Sequence, residues 1–286
     1  MTLTLSKLQQ LKRQAGGAVS ARTPATANIS IEQLRQLLRL RAPAPRRSHS
    51  NDRSLPGAEI APGLYLREER LSDEAAPEHF DGTFDRKESL LSRHLLFFDT
   101  ETTGLAGGTG TRAFMIGAAD WQRGGLRIRQ LTICTTAAEP SMLETFRSWL
   151  TPDTVLTSYN GKCYDAPLLA TRYRLARMGN PLAGLPHVDL LYPTRRRYRG
   201  VYENCRLATI ERKVLRIVRE DDLPGSEAPG AWLSFLRGGS AQMLRRVLTH
   251  NHQDVVTLSR LLRHLSLLGT QLDEPVSIND AAFTMA

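Results

Sequence analysis

Two acids stand two residues apart in Phe97-Phe98-Asp99-Thr100-Glu101-Thr102-Thr103-Gly104, directly after the apolar run Leu95-Leu96-Phe97-Phe98. Side chains two apart on a strand share a face, so Asp99 and Glu101 project together at the end of a buried strand. Carboxylates crowded in this way repel and are costly to desolvate unless a cation sits between them. Mg2+ and Mn2+, hard ions that prefer oxygen ligands, are the natural choices. A surface turn with two solvated acids is the alternative, and the apolar residues before Asp99 weigh against it.

Two further acids occupy positions with chemical meaning. At about 100° per residue, Asp254 falls in the middle of a helical stripe made by Val247, Leu258, Leu261 and Leu265, where a lone carboxylate is expensive. His250 lies one turn earlier on the same side, so a His–Asp pair that locks the helix stands beside a metal-ligand role. Asp165 follows the turn Asn160-Gly161-Lys162 and precedes a helix with Pro167 in its first turn. Taken alone it reads as an N-cap.

The elements that must position these acids follow from periodicity and breakers. Leu95–Phe98 is a central strand. Ala113–Trp121 and Leu126–Cys134 form an antiparallel hairpin around Gln122–Gly125. Ser141 and Glu144 make a capping box for a helix with the face Met142, Phe146, Trp149 and Leu150. Thr154–Tyr159 and His187–Leu191 are strands, Ala166–Arg177 is a helix, and Leu207, Ile210 and Val214 mark another after Asn204. A long helix spans about Ser240 to Leu268. The class is therefore α/β, a mixed sheet flanked by helices. Asp189 reads as a cap, with support of the site as its alternative. Arg195-Arg196-Arg197-Tyr198-Arg199 reads as a basic loop whose Arg197 and Tyr198 contact substrate, the ring by stacking. A solvated loop is the bland alternative.

The expected organisation is a basic, largely disordered arm over 1–55, a lead-in over 56–94, the domain proper over 95–270 and a tail over 271–286. The arm holds ten Lys/Arg against Glu32 and Asp52, so it carries +8 of the formal +9 of the 286-residue chain. Such an arm suits a polyanion or is a solvated tail. Its acid-free first thirty residues faintly resemble an organellar transit peptide. Cys134, Cys163 and Cys205 are too scattered for a disulfide framework or structural zinc site, which fits a reducing cytoplasm. No apolar run reaches membrane-spanning length. Leu105-Ala106-Gly107-Gly108-Thr109-Gly110-Thr111 lacks the Lys-Ser/Thr ending of a phosphate-binding loop, which excludes nucleoside triphosphate hydrolysis by that motif.

Taken in order, Asp99 to Gly104, Asn160 to Asp165 and His250 to Asp254 resemble the three motifs of DEDD-type 3′–5′ exonucleases, a superfamily with the ribonuclease H-like fold. The resemblance covers residues 95–265. Asn160 to Asp165, continued by Ala166-Pro167-Leu168-Leu169, is most similar to the proofreading domains of family-B DNA polymerases. The glycine-rich stretch resembles that of a poorly characterised bacterial group. One position departs: members carry His five residues before the last Asp or Tyr four before it. Here those places hold Thr249 and His250.

The resemblance implies a nuclease that binds two divalent ions, Mg2+ or Mn2+, through Asp99, Glu101, Asp165 and Asp254. Asp99 would bridge the ions, with Glu101 and Asp254 completing one and Asp165 supporting the other through water. His250 would orient or deprotonate the attacking water. Thr102, Gly104, Asn160 and Lys162 would contact the substrate, a single-stranded 3′ end of DNA or RNA, and the product would be a nucleoside 5′-monophosphate. An endonuclease of the same fold and a catalytically silent nucleic-acid-binding or adaptor protein are the alternatives.

Overall fold

A strand whose residues are apolar on both faces belongs in the middle of a sheet covered on both sides, and Leu95–Phe98 are buried to the last residue. The structure is a computed structural model and describes residues 52–104, 108–219 and 223–269. The expected arm up to residue 51 and the tail over 271–286 lie outside the described residues.

In chain order the elements are β1 (Ala58–Ala61), β2 (Leu64–Leu71), β3 (His79–Asp81), β4 (Ser89–Leu91), β5 (Leu95–Thr102), β6 (Ala113–Gln122), β7 (Gly125–Ile133), α1 (Glu139–Arg147) and β8 (Val155–Ser158). There follow α2 (Asp165–Leu175), β9 (His187–Asp189), α3 (Leu191–Tyr198), α4 (Leu207–Ile210), a π-helical turn at Glu211–Leu215, α5 (Ala228–Leu236) and α6 (Gln242–Gly269). Seven strands form one sheet in the order β1-β2-β7-β6-β5-β8-β9, while β3 and β4 pair separately. The sheet is mixed: β5 runs antiparallel to β6 and parallel to β8, and β8 is parallel to β9.

Pleat alternation along β5 divides the core. Phe98 packs with Phe146, Leu169 and Tyr173 of α1 and α2. Phe97 joins Trp121, Val255, Leu258 and Leu261, the last three from α6. The same alternation sends Asp99 and Glu101 toward α6 and Thr100 toward α2. Register completes the arrangement by setting Asp99 opposite Gly117 on β6, and Gly117 opposite Gln130 on β7.

Four expectations are corrected. The segment before residue 95 is no mere lead-in, because β2 pairs with β7 through eight residues and β1 extends the same sheet. The end of the expected linker is docked: Arg53 donates to the carbonyls of Phe235 and Gly239, both at 2.8 Å, and Asp52 meets Arg245 at 2.8 Å. The Ser141–Glu144 capping box does not open α1, which starts two residues earlier with Pro140 in its first turn. Residues 195–198 are not a loop but the last turns of α3.

Because β2 covers the hydrogen-bonding edge of β7, a chain that starts at Leu95 exposes a long bare edge. Such a chain should aggregate on expression, whereas one starting at Asp52 should elute as a folded monomer or defined oligomer by size-exclusion chromatography. Equal solubility would show that β1 and β2 are dispensable.

Candidate active site

β5 ends beside the turn that opens α2, and there Asp99, Thr100, Thr102, Gly104, Thr111, Tyr159, Asn160, Tyr164, Asp165 and Leu168 line a cleft of about 370 Å3. The structure thus brings together Asp99, Thr102, Gly104, Asn160 and Asp165 of the expected residues. Glu101, buried at 8% exposure, and Asp254 do not line the cleft but act on it. The Asp99 carboxyl is pushed well above the ordinary carboxylate range, first by burial and then by the negative charges of Asp254, Asp165 and Glu101. All four acids are therefore felt at one carboxylate.

Each acid is held in its own way. Asn251, fully buried on α6, donates from Nδ2 to Asp99 Oδ2 at 3.0 Å, and Gln130 Nε2 in turn donates to Asn251 Oδ1 at 3.0 Å and to the Leu248 carbonyl at 2.7 Å. This relay crosses β6 at Gly117, where a Cβ would lie 2.1 Å from Asn251 Oδ1. Glycine at this one place lets α6 reach the acid. Sequence reasoning passed over Asn251, although it falls on the same apolar stripe as Asp254, where a polar residue is equally conspicuous. Gly117 and Gln130 carry no such local sign.

Asp165 is the first residue of α2 with Tyr164 at the cap position, and no side chain caps the helix. Its carboxylate instead accepts the Thr100 hydroxyl across the sheet end. Burial raises its pKa to about 6 against the pull of that hydrogen bond. The preceding turn is shaped by Asn160, with φ of 68°, and by Gly161, where a Cβ would sit 2.5 Å from Ser158 Oγ and 3.1 Å from Asp165 Oδ2. Fully buried Asp189 fixes the turn from beneath, accepting the amides of Asn160 at 2.6 Å and Lys162 at 3.0 Å. It also accepts the Leu191 amide at 3.1 Å, but Leu190 holds the cap position of the helix that follows and no side chain caps it, so Asp189 supports the turn and is not the expected cap. Lys162 itself is exposed outside the cleft.

Asp254 faces a cation supplied by the chain. Arg219 donates to it, and clasps buried Glu211 through Nε at 2.6 Å and Nη2 at 2.7 Å. Burial alone would lower the guanidinium pKa, but Glu211 and Asp254 together raise it. His250 stands between: Nε2 lies 3.4 Å from Asp254 Oδ2, and Nδ1 lies 3.2 Å from Arg219 Nη1. Since a guanidinium only donates, Nδ1 is the unprotonated nitrogen in this arrangement. Glu211 and Arg219 were invisible in the sequence, because their pairing depends on the π-helical turn at Glu211–Leu215 folding back on α6. His252 is turned away toward Glu69 on β2, at 3.3 Å.

Two expected substrate contacts do not join the cleft. Tyr198 is 5% exposed, with its hydroxyl 2.7 Å from His264 Nε2 and its ring stacked on Tyr202. Arg197 neighbours the same Tyr198–His264 pair. Helical phase buries Tyr198 and leaves Arg197 half-buried beside it.

Among the described residues, no three His, Cys, Asp or Glu side chains converge closely enough to form a ready-made metal cluster. Thr100, Asn251 and Arg219 each engage one of the acids with a separate protein partner. The donor set nonetheless suits hard divalent ions, being carboxylate oxygens whose mutual repulsion a cation relieves.

A family model described as RNase_H superfamily matches residues 96–266. The uncharacterized protein YprB of Bacillus subtilis (strain 168) is 36% identical over 174 residues, which are 60% of this chain and 42% of that protein. The chain thus spans less than half the length of this relative. Among solved structures, the family B DNA polymerase from the hyperthermophilic archaeon Pyrobaculum calidifontis aligns with a TM-score of 0.47 at 14% identity, over 62% of this chain and 24% of that one. An ExoI/SSB-Ct complex aligns with a TM-score of 0.35 at 17% identity, over 55% and 43%. Among the described residues no helix is long and apolar enough to cross a membrane.

Two predictions follow from the site's electrostatics and packing. A carboxyl whose folded pKa lies near 6 favours its neutral form, so ionised Asp165 destabilises the metal-free protein above that pH, and the penalty fades as pH falls toward 4. Asp165→Asn should therefore unfold at higher urea than wild type in chelator at pH 7, by roughly 1–3 kcal/mol, with little difference at pH 4. A less stable variant at pH 7 would contradict this. Gly117→Ala should displace Asn251 and lower phosphodiesterase activity by roughly 10–100-fold, and Asn251→Ala should reproduce the loss. Unchanged kcat in both would remove the relay from the site.

Proposed function

Because the chain belongs to the RNase_H superfamily, we propose that it is a metal-dependent 3′–5′ exonuclease acting on single-stranded DNA or RNA. The observation that carries this reading is the placement of Asp99 and Asp165 on one cleft wall, with Asp254 and Glu101 near enough for their charges to act on Asp99. Spending so much repulsion on a fold-stabilising role makes little physical sense. A cation-binding role accounts for it.

In this reading Asp99, Glu101, Asp165 and Asp254 hold two divalent ions, Mg2+ or Mn2+. When bound, such ions supply Lewis acidity at the scissile phosphate and lower the pKa of attacking water. The chain's own residues do the rest. Thr102, Gly104 and Asn160 line the cleft and position the terminal nucleotide. Among the described residues, Cβ atoms built on Gly104, Gly108 and Gly110 would meet nothing within 4 Å, although the φ of 73° at Gly108 itself favours glycine. Open space beside the cleft suits a close-lying nucleic-acid backbone. The described part of that stretch is anchored by Arg172, which donates to the Thr109 carbonyl at 2.9 Å while clasping Glu139 at 2.6 and 2.7 Å.

His250 is the group placed to take a proton, since its Nδ1 is the unprotonated nitrogen. That lone pair faces Arg219, so general-base action requires the guanidinium to withdraw from it. Arg219 in turn holds a positive charge against Asp254. Asp254 would have to exchange Arg219 for an ion in order to hold one, and that exchange would also free His250.

Mn2+ with 3′-labelled DNA and RNA strands provides the test, with Asp99→Asn beside wild type. Labelled mononucleotides from the first time point, absent in the variant, are expected. Internal fragments would make the enzyme an endonuclease. Equal cleavage by the variant would assign the activity to a contaminant.

A further inference from the structure

Outside the basic arm the chain is nearly neutral: residues 56–286 carry only about +1 of the formal +9. Against that background one face of α3 stands out. Tyr192, Arg195 and Arg196 share it at i, i+3, i+4 spacing, Arg199 follows directly after the last turn, and all four are exposed. Arg196 is engaged, donating to the Phe84 carbonyl. The guanidinia of Arg195 and Arg199 have no hydrogen bond or ion pair among the described residues, and both line a depression of about 360 Å3 with Gly200, Asn204 and Cys205. The one acid there, Glu203, is paired with Arg212.

This depression adjoins the carboxylate cleft. Tyr159 lines the cleft and donates its hydroxyl to the carbonyl of Cys205, a residue of the depression, at 2.6 Å. On the outer side, Cys163 Sγ lies 3.3 Å from the Tyr192 hydroxyl, tying the turn before α2 to the head of the stripe. Next to Cys163, Tyr164 lines the cleft with 56% of its surface exposed, and Tyr192 is 39% exposed. Large aromatics left in water beside unpaired arginines form the pattern that tracks single strands, rings stacking on bases and guanidinia meeting phosphates.

Resting on the exonuclease reading above, we propose that the strand whose 3′ end occupies the carboxylate cleft leaves it across Tyr164 and Tyr192. It then follows the stripe of α3 and seats a phosphate between Arg195 and Arg199. The strand-binding residues are therefore Tyr164, Tyr192, Arg195 and Arg199, in place of buried Tyr198 and its neighbour Arg197. A purely solvated arginine face would lack both the adjoining depression and the aromatic link to the cleft.

The test uses full-length protein carrying Asp99→Asn, so that strands are bound and not consumed, and a fluorescent single-stranded oligonucleotide read by anisotropy. Adding Arg195→Ala and Arg199→Ala should weaken binding about tenfold and reduce the salt slope by about 1–2, and Tyr192→Ala should weaken it less. A control with Arg123→Ala and Arg174→Ala removes equal charge from exposed positions elsewhere and should leave binding near that of the parent. Equal weakening in test and control, or none in the test, would overturn the proposal. With Asp99 restored, the Arg195/Arg199 variant should raise KM for long strands more than for a dinucleotide; equal losses on both would also overturn it. If the wild-type enzyme cleaves neither, the exonuclease reading fails, while the anisotropy comparison still decides whether this surface binds strands.

Discussion

Carboxylates that share a partly dry cleft repel one another, and the surroundings of Asp99 are organised around that repulsion. The sheet supplies Asp99 and Glu101 on one face of β5 and Thr100 on the other. α6 brings Asp254 and Asn251 to the first face, and α2 brings Asp165 to the second. Within the protein, three of the four acids are tempered by a donor: Asn251 for Asp99, Thr100 for Asp165, Arg219 for Asp254. None of these neutralises the cluster, and the Asp99 carboxyl stays raised.

The cost of such a site is carried by the core on either side of it. Phe98 against Phe146 and Tyr173, and Phe97 against Trp121 and the α6 leucines, lock the strand that ends in the acids. The one concession in the sheet is Gly117, a position opened so that Asn251 crosses β6. The link from packing to chemistry is thus short.

Much of this was readable from residue types. Period-two alternation placed Asp99 and Glu101 on one face, and the helical stripe marked Asp254 as a carboxylate out of place. The central strand, the hairpin and the long last helix stand where the pattern put them. What could not be read was whatever depends on distant register. Gly117 looks like any strand glycine until Asp99 is known to lie opposite. Glu211 and Arg219 acquire meaning only when the π-helical turn brings them to α6. Tyr198 failed for the opposite reason: an aromatic among arginines looks like a stacking platform, but helical phase turned it inward and left Tyr192 outside. β1 and β2, short on local signal, were not legible, and the segment that holds them read only as a lead-in.

The central claim is that these four carboxylates, three of them held by protein donors, are brought to a common purpose by divalent ions. Equilibrium binding of Mn2+ to the chelator-stripped protein, followed by the paramagnetic signal of the free ion near pH 7, addresses it directly. The account predicts saturable binding that approaches two ions per chain and is lost in Asp99→Asn. Absence of saturable binding in the wild type, or the same binding in the variant, would contradict it.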